Sequence, residues 1–410
     1  MFFKLRGAGN LKKRILFLMS DTGGGHRAAA EAIRDGLYSK YGEDTIDVEL
    51  LDVFRASHFP MNYMPEFYPW LIEHSKESWG LGYKMLNTKR RVAVMSRTFY
   101  IANAHRFKKM VRERPVDVVV SVHSIVARPM FRAFEMVFKE RPPMITVVTD
   151  LISTHAFWYD KRADFMMLPT EAAYERGLEL GIPTDKMRIT GLPVNPRFMD
   201  SLIGQEQARD ALGWQQGVPT ILMVAGGDGM GPLYDTARAI NARKLDCQLV
   251  VIAGRNKHLK ARLEATDWNQ PTHIYPFVTN MPQLMDGADI IVTKAGPATI
   301  TEAGIAGLPM ILMDAIPGQE TGNVDYVIQN DAGIYTRNPR EVADTVSAWL
   351  AEGKSGLQRR ADQARRIARP NAVWDIADEV MHWAGSDPIE TSDKRLWVRA
   401  KKLMPFDLQS

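Results

Sequence analysis

A histidine follows three consecutive glycines in Ser20-Asp21-Thr22-Gly23-Gly24-Gly25-His26-Arg27-Ala28. An imidazole titrates near neutral pH and can take a proton from a hydroxyl. Glycines let backbone approach a ligand closely, and the free N–H groups of a helix start favour an anion. The apolar run Ile15–Met19 before the loop and the Ala-rich stretch after it read as strand, turn and helix. By itself the segment fits a phosphate cradle, a mount for a general base, or simply a tight turn with a helix-start histidine.

The second half carries more such residues. Gly226-Gly227-Asp228-Gly229-Met230-Gly231-Pro232 follows the apolar run Thr220–Ala225 and can cradle a phosphate through backbone N–H groups, although its aspartate argues against a plain anion site. No GxxxxGK[ST] sequence occurs, which argues against a P-loop NTPase. Lys294-Ala295-Gly296-Pro297-Ala298-Thr299 follows another strand-like run, and Glu302 comes one helical turn after Thr299. Thr299 can donate to a phosphate, and a carboxylate at 302 can accept from the vicinal hydroxyls of a ribose. Gln319-Glu320, in Pro317-Gly318-Gln319-Glu320-Thr321-Gly322-Asn323, puts an amide beside a carboxylate, a pairing suited to sugar hydroxyls. Taken singly, Thr299 and Glu302 also fit a capping pair, and Gln319-Glu320 a solvated loop. Their order within one βαβ pattern favours the ligand reading.

These residues need a frame. Strand-like runs alternate with helical stretches throughout: 15–19, 116–122, 144–149, 165–168, 220–225, 249–253, 290–293 and 310–313. Such alternation predicts an α/β fold with parallel sheets. It restarts after Gly191-Leu192-Pro193-Val194-Asn195-Pro196, so each half opens with a strand, a glycine loop and a helix, and two doubly wound halves leave a cleft between them. Apolar content of 45% and charged content of 24% are ordinary for a globular chain. The single cysteine, Cys247, excludes an intramolecular disulfide and sits in a strand-like run, where it reads as a buried structural thiol. No apolar run reaches the roughly 18 to 20 residues that cross a bilayer.

The net charge of +4 is unremarkable, but its distribution is uneven. From Trp79 to Arg114 ten Lys or Arg stand against one acid, Glu113, and Phe59, Tyr63, Phe67, Tyr68 and Trp70 precede them. Cations beside apolar rings suit an anionic membrane surface, and they equally suit a solvated helix face over a core cluster. No nucleic-acid motif accompanies the charge, so no nucleic-acid partner is expected.

As a set, the four glycine motifs, together with Thr149-Asp150-Leu151, His155, Trp158, Gly191-Leu192-Pro193-Val194 and Gly254-Arg255-Asn256-Lys257, resemble the monogalactosyldiacylglycerol synthases over residues 14–345. That family is related to bacterial diacylglycerol glucosyltransferases and, more distantly, to the N-acetylglucosaminyltransferase of peptidoglycan lipid intermediates. The resemblance implies a GT-B fold: two Rossmann-like doubly wound domains facing a cleft. The expected division is an acceptor and membrane-binding domain over 1–197, a UDP-sugar-binding domain over 198–370, and a C-terminal helix with a basic tail over 371–410 packing back on the first.

The resemblance further implies an inverting hexosyltransferase moving galactose, or next glucose, from a UDP-sugar to 1,2-diacylglycerol. No metal or other cofactor is required. His26 is the expected general base, with Asp150 and His155 completing the catalytic set. The donor set is Gly226, Gly227, Gly229, Gly231, Arg255, Phe277, Val278, Gly296, Thr299, Glu302, Gln319, Glu320 and Asn323. Within it Phe277-Val278 lies at the uracil, Glu302 at the ribose, and Gln319 and Glu320 at the hexose. The sequence departs from the family pattern at Asp228, where Glu is usual, and at Ala298, where glycine is common. Lacking a long plant-type transit segment, it reads as a bacterial enzyme, peripheral on the cytoplasmic face of the cell membrane. The basic stretch and an amphipathic end at Lys394–Phe406 would meet the anionic phospholipid surface. N-acetylglucosaminyl transfer to a polyprenyl-linked sugar and a non-catalytic membrane-binding module are the competing readings, and the oligomeric state is open.

Overall fold

The computed structural model describes residues 12–391 apart from Gly23, Asp228 and Met230. The basic tail and the Asp228 departure lie outside the described residues. The first sheet is wholly parallel and contains β1 (Lys13–Met19), β2 (Ile46–Asp52), β3 (Val118–Ser121), β4 (Met144–Val147), β5 (Phe165–Leu168) and β6 (Met187–Ile189), in the order β2-β1-β3-β4-β5-β6. The second, also parallel, contains β7 (Thr220–Val224), β8 (Gln248–Ile252), β9 (Thr272–Tyr275), β10 (Ile290–Lys294), β11 (Met310–Asp314) and β12 (Gly333–Tyr335). Its order β9-β8-β7-β10-β11-β12 is the doubly wound Rossmann arrangement. The expected pair of Rossmann-like α/β domains is what the chain forms.

Central strands are apolar at every position because both sheet faces are covered. In β1, Leu16 and Leu18 pack with Phe54, Phe107, Phe131 and Phe134 on one face. Ile15, Phe17 and Met19 pack on the other, against Ala30, Ile33 and Leu37 of α1 (Gly25–Tyr41) and Ile376, Ala377 and Val380 of the C-terminal helix Ala372–Gly385. Strand β7 divides likewise, Leu222 and Val224 into one core and Ile221 and Met223 into another. Burying each such side chain contributes about 1.5–3 kcal/mol, so the strands carrying the glycine loops are held from both sides.

Between β2 and β3 the chain inserts three helices: α2 (Met64–His74), α3 (Lys76–Leu86) and α4 (Lys89–Arg112). The basic stretch is therefore largely α4. It buries Val92, Ser96, Tyr100, Asn103, Phe107 and Val111, one stripe at helical spacing, and turns most of its cations outward. Helix α5 (Ser124–Val137) follows β3. The helix Ala372–Gly385 returns from the second half to α1, where Tyr41 donates to Asp378 at 2.5 Å and Lys40 pairs with it at 2.6 Å. The two passages of chain between the halves touch: a Cβ on Gly191 would lie 2.8 Å from the Cβ of Arg369 and 3.0 Å from that of Ala372.

Candidate active site

Ligands of doubly wound sheets bind at the carboxyl ends of the strands where the order reverses. In the first sheet that point lies between β1 and β3. The loop after β1 carries Thr22 and leads to His26 in the first turn of α1, and the loop after β3 carries Val122 and His123. Gly24, with φ of 78°, begins α1 in the left-handed region without a side-chain cap. Asp21 and Arg27 form an ion pair across the glycine turn, and the Asp21 N–H donates to Asp52 at 3.1 Å.

His26 Nδ1 lies 2.9 Å from the Val122 carbonyl oxygen and 3.0 Å from Thr149 Oγ1. A carbonyl only accepts, so Nδ1 carries the proton and Nε2 keeps its lone pair. Burial lowers the imidazole to about 4, partly opposed by the Val122 bond, so the ring is neutral at pH 7. The His123 ring lies beside it, tilted by 43°, with centroids 4.3 Å apart. Its Nδ1 accepts from the Ile125 N–H at 3.2 Å, so its Nε2 proton is donated to Thr22 Oγ1 at 3.0 Å. The Thr22 hydroxyl proton remains available to donate elsewhere.

Thr22, His26 and His123 line a cavity of about 470 Å³. Asp150, His155 and Gln319 also line it, and Phe54, Met61, Met64, Leu71, Trp79, Leu86, Met95 and Phe157 make its wall largely apolar. Trp158 Nε1 donates to Asp150 at 2.7 Å, while burial raises that carboxyl to about 6. His155 has both ring nitrogens engaged: one accepts from the Phe157 N–H and the other donates to the Tyr83 carbonyl, each at 3.2 Å. With no lone pair left to take a proton, it braces the cavity wall. This changes the catalytic role expected from the sequence.

The reversal in the second sheet lies between β7 and β10, and both expected donor loops spring from it. The β7 loop packs backbone to backbone on the next: a Cβ on Gly229 would stand 2.2 Å from the Ala253 carbonyl oxygen, and the Arg255 N–H donates to Gly227 at 2.8 Å. The Arg255 guanidinium lies over the Phe277 ring, 4.5 Å from its centroid, and both reach Gly227. After β10, Gly296 precedes the helix Pro297–Ala306, whose first turn holds Thr299 and has no side-chain cap. Its N–H groups are thus open to an anion. Lys294 passes between Gly226 and Gly296 and pairs with Glu320 at 3.0 Å. It is a cation between the two glycine loops to which sequence reasoning assigned no role.

Glu302 faces a second cleft of about 480 Å³, bordered by Val194, Asn195, Phe198, Thr279, Asn280 and Gln283, next to Val278. Among the described residues no hydrogen bond or ion pair reaches its carboxyl group, and burial raises it to about 7. Gly231 lies beside Asp314. The Gln319, Glu320 and Asn323 set divides. Glu320 is buried and accepts from Lys294 and from the Ile316 N–H at 2.9 Å. Asn323 accepts from the Ile152 N–H at 3.2 Å and donates to Ala295 at 3.0 Å, bridging the two halves of the chain. These bonds fix the places of Glu320 and Asn323 between the donor loops and the first half of the chain. Gln319 alone of the three lines the cavity with His26. Among the described residues, no group of three or more His, Cys, Asp and Glu is arranged to hold a metal ion, and no helix is long and apolar enough to cross a membrane.

The profile of the family described as monogalactosyldiacylglycerol (MGDG) synthase matches residues 26–194, and that of the glycosyltransferase family 28 C-terminal domain matches 220–379. Monogalactosyldiacylglycerol synthase 2, chloroplastic, of Arabidopsis thaliana is 36% identical over 377 residues, covering 90% of this chain and 80% of that protein. The chloroplastic monogalactosyldiacylglycerol synthase of Spinacia oleracea is 36% identical over 381 residues, covering 90% and 72%. These relatives are plant proteins, so they lend nothing to the bacterial source expected from the sequence. Among solved structures, Acinetobacter baumannii MurG has a TM-score of 0.58 at 17% identity, covering 90% of this chain and 99% of its own. UDP-GlcNAc 2-epimerase from Neisseria meningitidis, bound to UDP-GlcNAc, has 0.58 at 14%, covering 90% and 100%. At these identities the structures share the fold alone, the GT-B pair of Rossmann-like domains. The sequence relatives go further: the chain belongs to the monogalactosyldiacylglycerol synthase family of glycosyltransferases.

Proposed function

We propose that the protein transfers a hexose, galactose ahead of glucose, from a UDP-sugar to the free hydroxyl of 1,2-diacylglycerol, with inversion, yielding a monoglycosyldiacylglycerol. The observation that carries this reading is the neutral His26 ring, held through Nδ1 by Val122, in the lining of a largely apolar cavity. A lipid alcohol needs both surroundings at once. Its hydroxyl must meet a base, and its glycerol and ester region must sit among apolar side chains.

In the proposed step the acceptor oxygen loses its proton to His26 Nε2 and forms a bond to the anomeric carbon. The bond from that carbon to the phosphate oxygen breaks on the opposite face, and UDP leaves with the electron pair. Lys294 and the open start of Pro297–Ala306 stabilise the departing charge. Glu302 accepts from the ribose hydroxyls, and Phe277-Val278 flanks the uracil. No metal ion enters the scheme, in keeping with the family. Residues 1–197 serve the acceptor and 198–370 the donor, and the helix Ala372–Gly385 returns to the first.

The same α2–α4 insertion walls the cavity and faces outward. Phe59, Phe67, Trp70, Leu81, Met85 and Ile101 are exposed apolar residues beside the exposed cations Lys84, Lys89, Arg90, Arg91 and Arg97. Each cation near an anionic bilayer contributes about 1 kcal/mol, which supports peripheral attachment, on the cytoplasmic face of a cell membrane. The test uses vesicles of anionic phospholipid and diacylglycerol with UDP-galactose, UDP-glucose or UDP-N-acetylglucosamine, and chromatography of the lipid product. A monohexosyl lipid from UDP-galactose is expected. No product from either UDP-hexose, or product from UDP-N-acetylglucosamine alone, overturns the proposal.

A further inference from the structure

The lipid-side insertion reaches across the cleft to the sugar side. Gln319 Oε1 receives the Tyr68 hydroxyl at 3.1 Å and the Trp79 indole N–H at 3.2 Å. Indole N–H only donates, so the atom facing it must be the amide oxygen. The amide NH₂ is therefore turned the other way. Among the described residues it has no partner, and Gln319 lines the His26 cavity. The contact is not a loose touch. Lys76 Nζ pairs with Asp314 at 2.5 and 2.6 Å, and a Cβ on Gly80 would stand 2.7 Å from Pro317 Cβ. The rings of Tyr68 and Trp79 meet edge to face, 5.1 Å apart, so the two donors hold each other in place.

We infer that Tyr68 and Trp79 are positioning residues for the hexose: they lock Gln319 so that it presents two N–H donors, and no acceptor, to the sugar hydroxyls. This rests on the proposed reading that Gln319 faces the hexose. Sugar recognition is then completed by helices that also carry the exposed Phe67 and Trp70, and the two domains share one specificity site. An amide free to flip would offer donor or acceptor indifferently and would discriminate less between hydroxyls of opposite orientation.

The test compares Tyr68→Phe, Trp79→Phe and Gln319→Glu in the vesicle assay, with full titrations of UDP-galactose and UDP-glucose. Loss of one holding bond should raise KM for the preferred donor roughly tenfold or somewhat less, with kcat changed by less than about twofold. The galactose-to-glucose preference should narrow, and in Tyr68→Phe, which keeps the ring in the cavity wall, KM for diacylglycerol should stay constant. Gln319→Glu keeps acceptors for both aromatic donors but has no N–H, so its donor KM should rise although the contact with the insertion survives. Unchanged donor KM and preference in Tyr68→Phe, or wild-type donor KM in Gln319→Glu, overturns the inference. Wild-type enzyme inactive with both UDP-hexoses instead overturns the reading beneath it. If Trp79→Phe lowers Tm or vesicle binding, Tyr68→Phe decides alone, since it removes only one oxygen.

Discussion

His26 Nδ1 stands 2.9 Å from the carbonyl oxygen of Val122, and this one contact sets the protonation pattern of the site. A backbone carbonyl takes the orienting place that a carboxylate fills in many acid–base pairs. It fixes the tautomer without adding a full negative charge, so burial dominates and the ring is held as a weak neutral base. The imidazolium formed during transfer must be stabilised by another group, and Asp150 is the carboxyl group in the same cavity.

His26→Ala removes the proton acceptor. Turnover should fall by about 10²–10⁴-fold, while UDP affinity measured by calorimetry stays within about twofold of wild type. Near-normal turnover would place the base elsewhere.

The pH profile should report Asp150. With His26 lowered to about 4 and Asp150 raised to about 6, His26 is neutral on both sides of pH 6 while Asp150 changes charge. Wild-type kcat/KM should fall as the pH drops through about 6. In Asp150→Asn the remaining activity should keep its plateau down toward the His26 value near 4. A wild-type limb that Asp150→Asn does not move would exclude this role.

Glu302 links donor binding to stability. Its carboxyl is raised to about 7 in the fold. A raised carboxyl contributes stability that is fully present below its unfolded value near 4.5 and is lost as the pH rises through about 7. Glu302→Gln should therefore raise Tm by a few degrees at pH 8 and by less at pH 5. The same substitution should weaken UDP binding roughly tenfold or more, because a charged acceptor is worth more than an amide. A lower Tm at pH 8, or unchanged UDP affinity, would contradict the assignment.

Phe67→Ser with Trp70→Ser tests the membrane face. Both side chains are about half exposed, at 46% and 52%, so folding should tolerate the change. Co-sedimentation with anionic vesicles should fall several-fold, and wild-type binding should weaken as salt rises. Transfer to a short-chain diacylglycerol in detergent should persist. Equal loss in detergent would mean that the substitutions damage the site itself.

Eight strand-like runs in the sequence correspond to the central strands, where burial on both faces leaves an unbroken apolar signal. In the two six-stranded sheets, the four strands not among those runs, β2, β6, β9 and β12, are the edges. An edge is half solvated, so Ile46–Asp52 interleaves acids with apolar residues and its period is diluted. The site divides in the same way. His26 and Glu302 stood out because a titratable group beside a glycine turn, or one helical turn beyond it, has local meaning. Thr22, His123 and Lys294 gain theirs only when β1 meets β3 and β7 meets β10. His155, Glu320 and Asn323 carry the right chemistry for a site, but their partners, Tyr83, Ile316 and Ile152, act through backbone atoms that leave no trace in residue identity.

The contact of Gly191 with Arg369 and Ala372 has a mechanical consequence. Two covalent passages lie side by side at that point without room for a side chain on Gly191, so each passage fixes the course of the other. A bulky side chain at position 191 would press on both passages at once and so disturb the seating of the two halves through a residue that belongs to neither sheet.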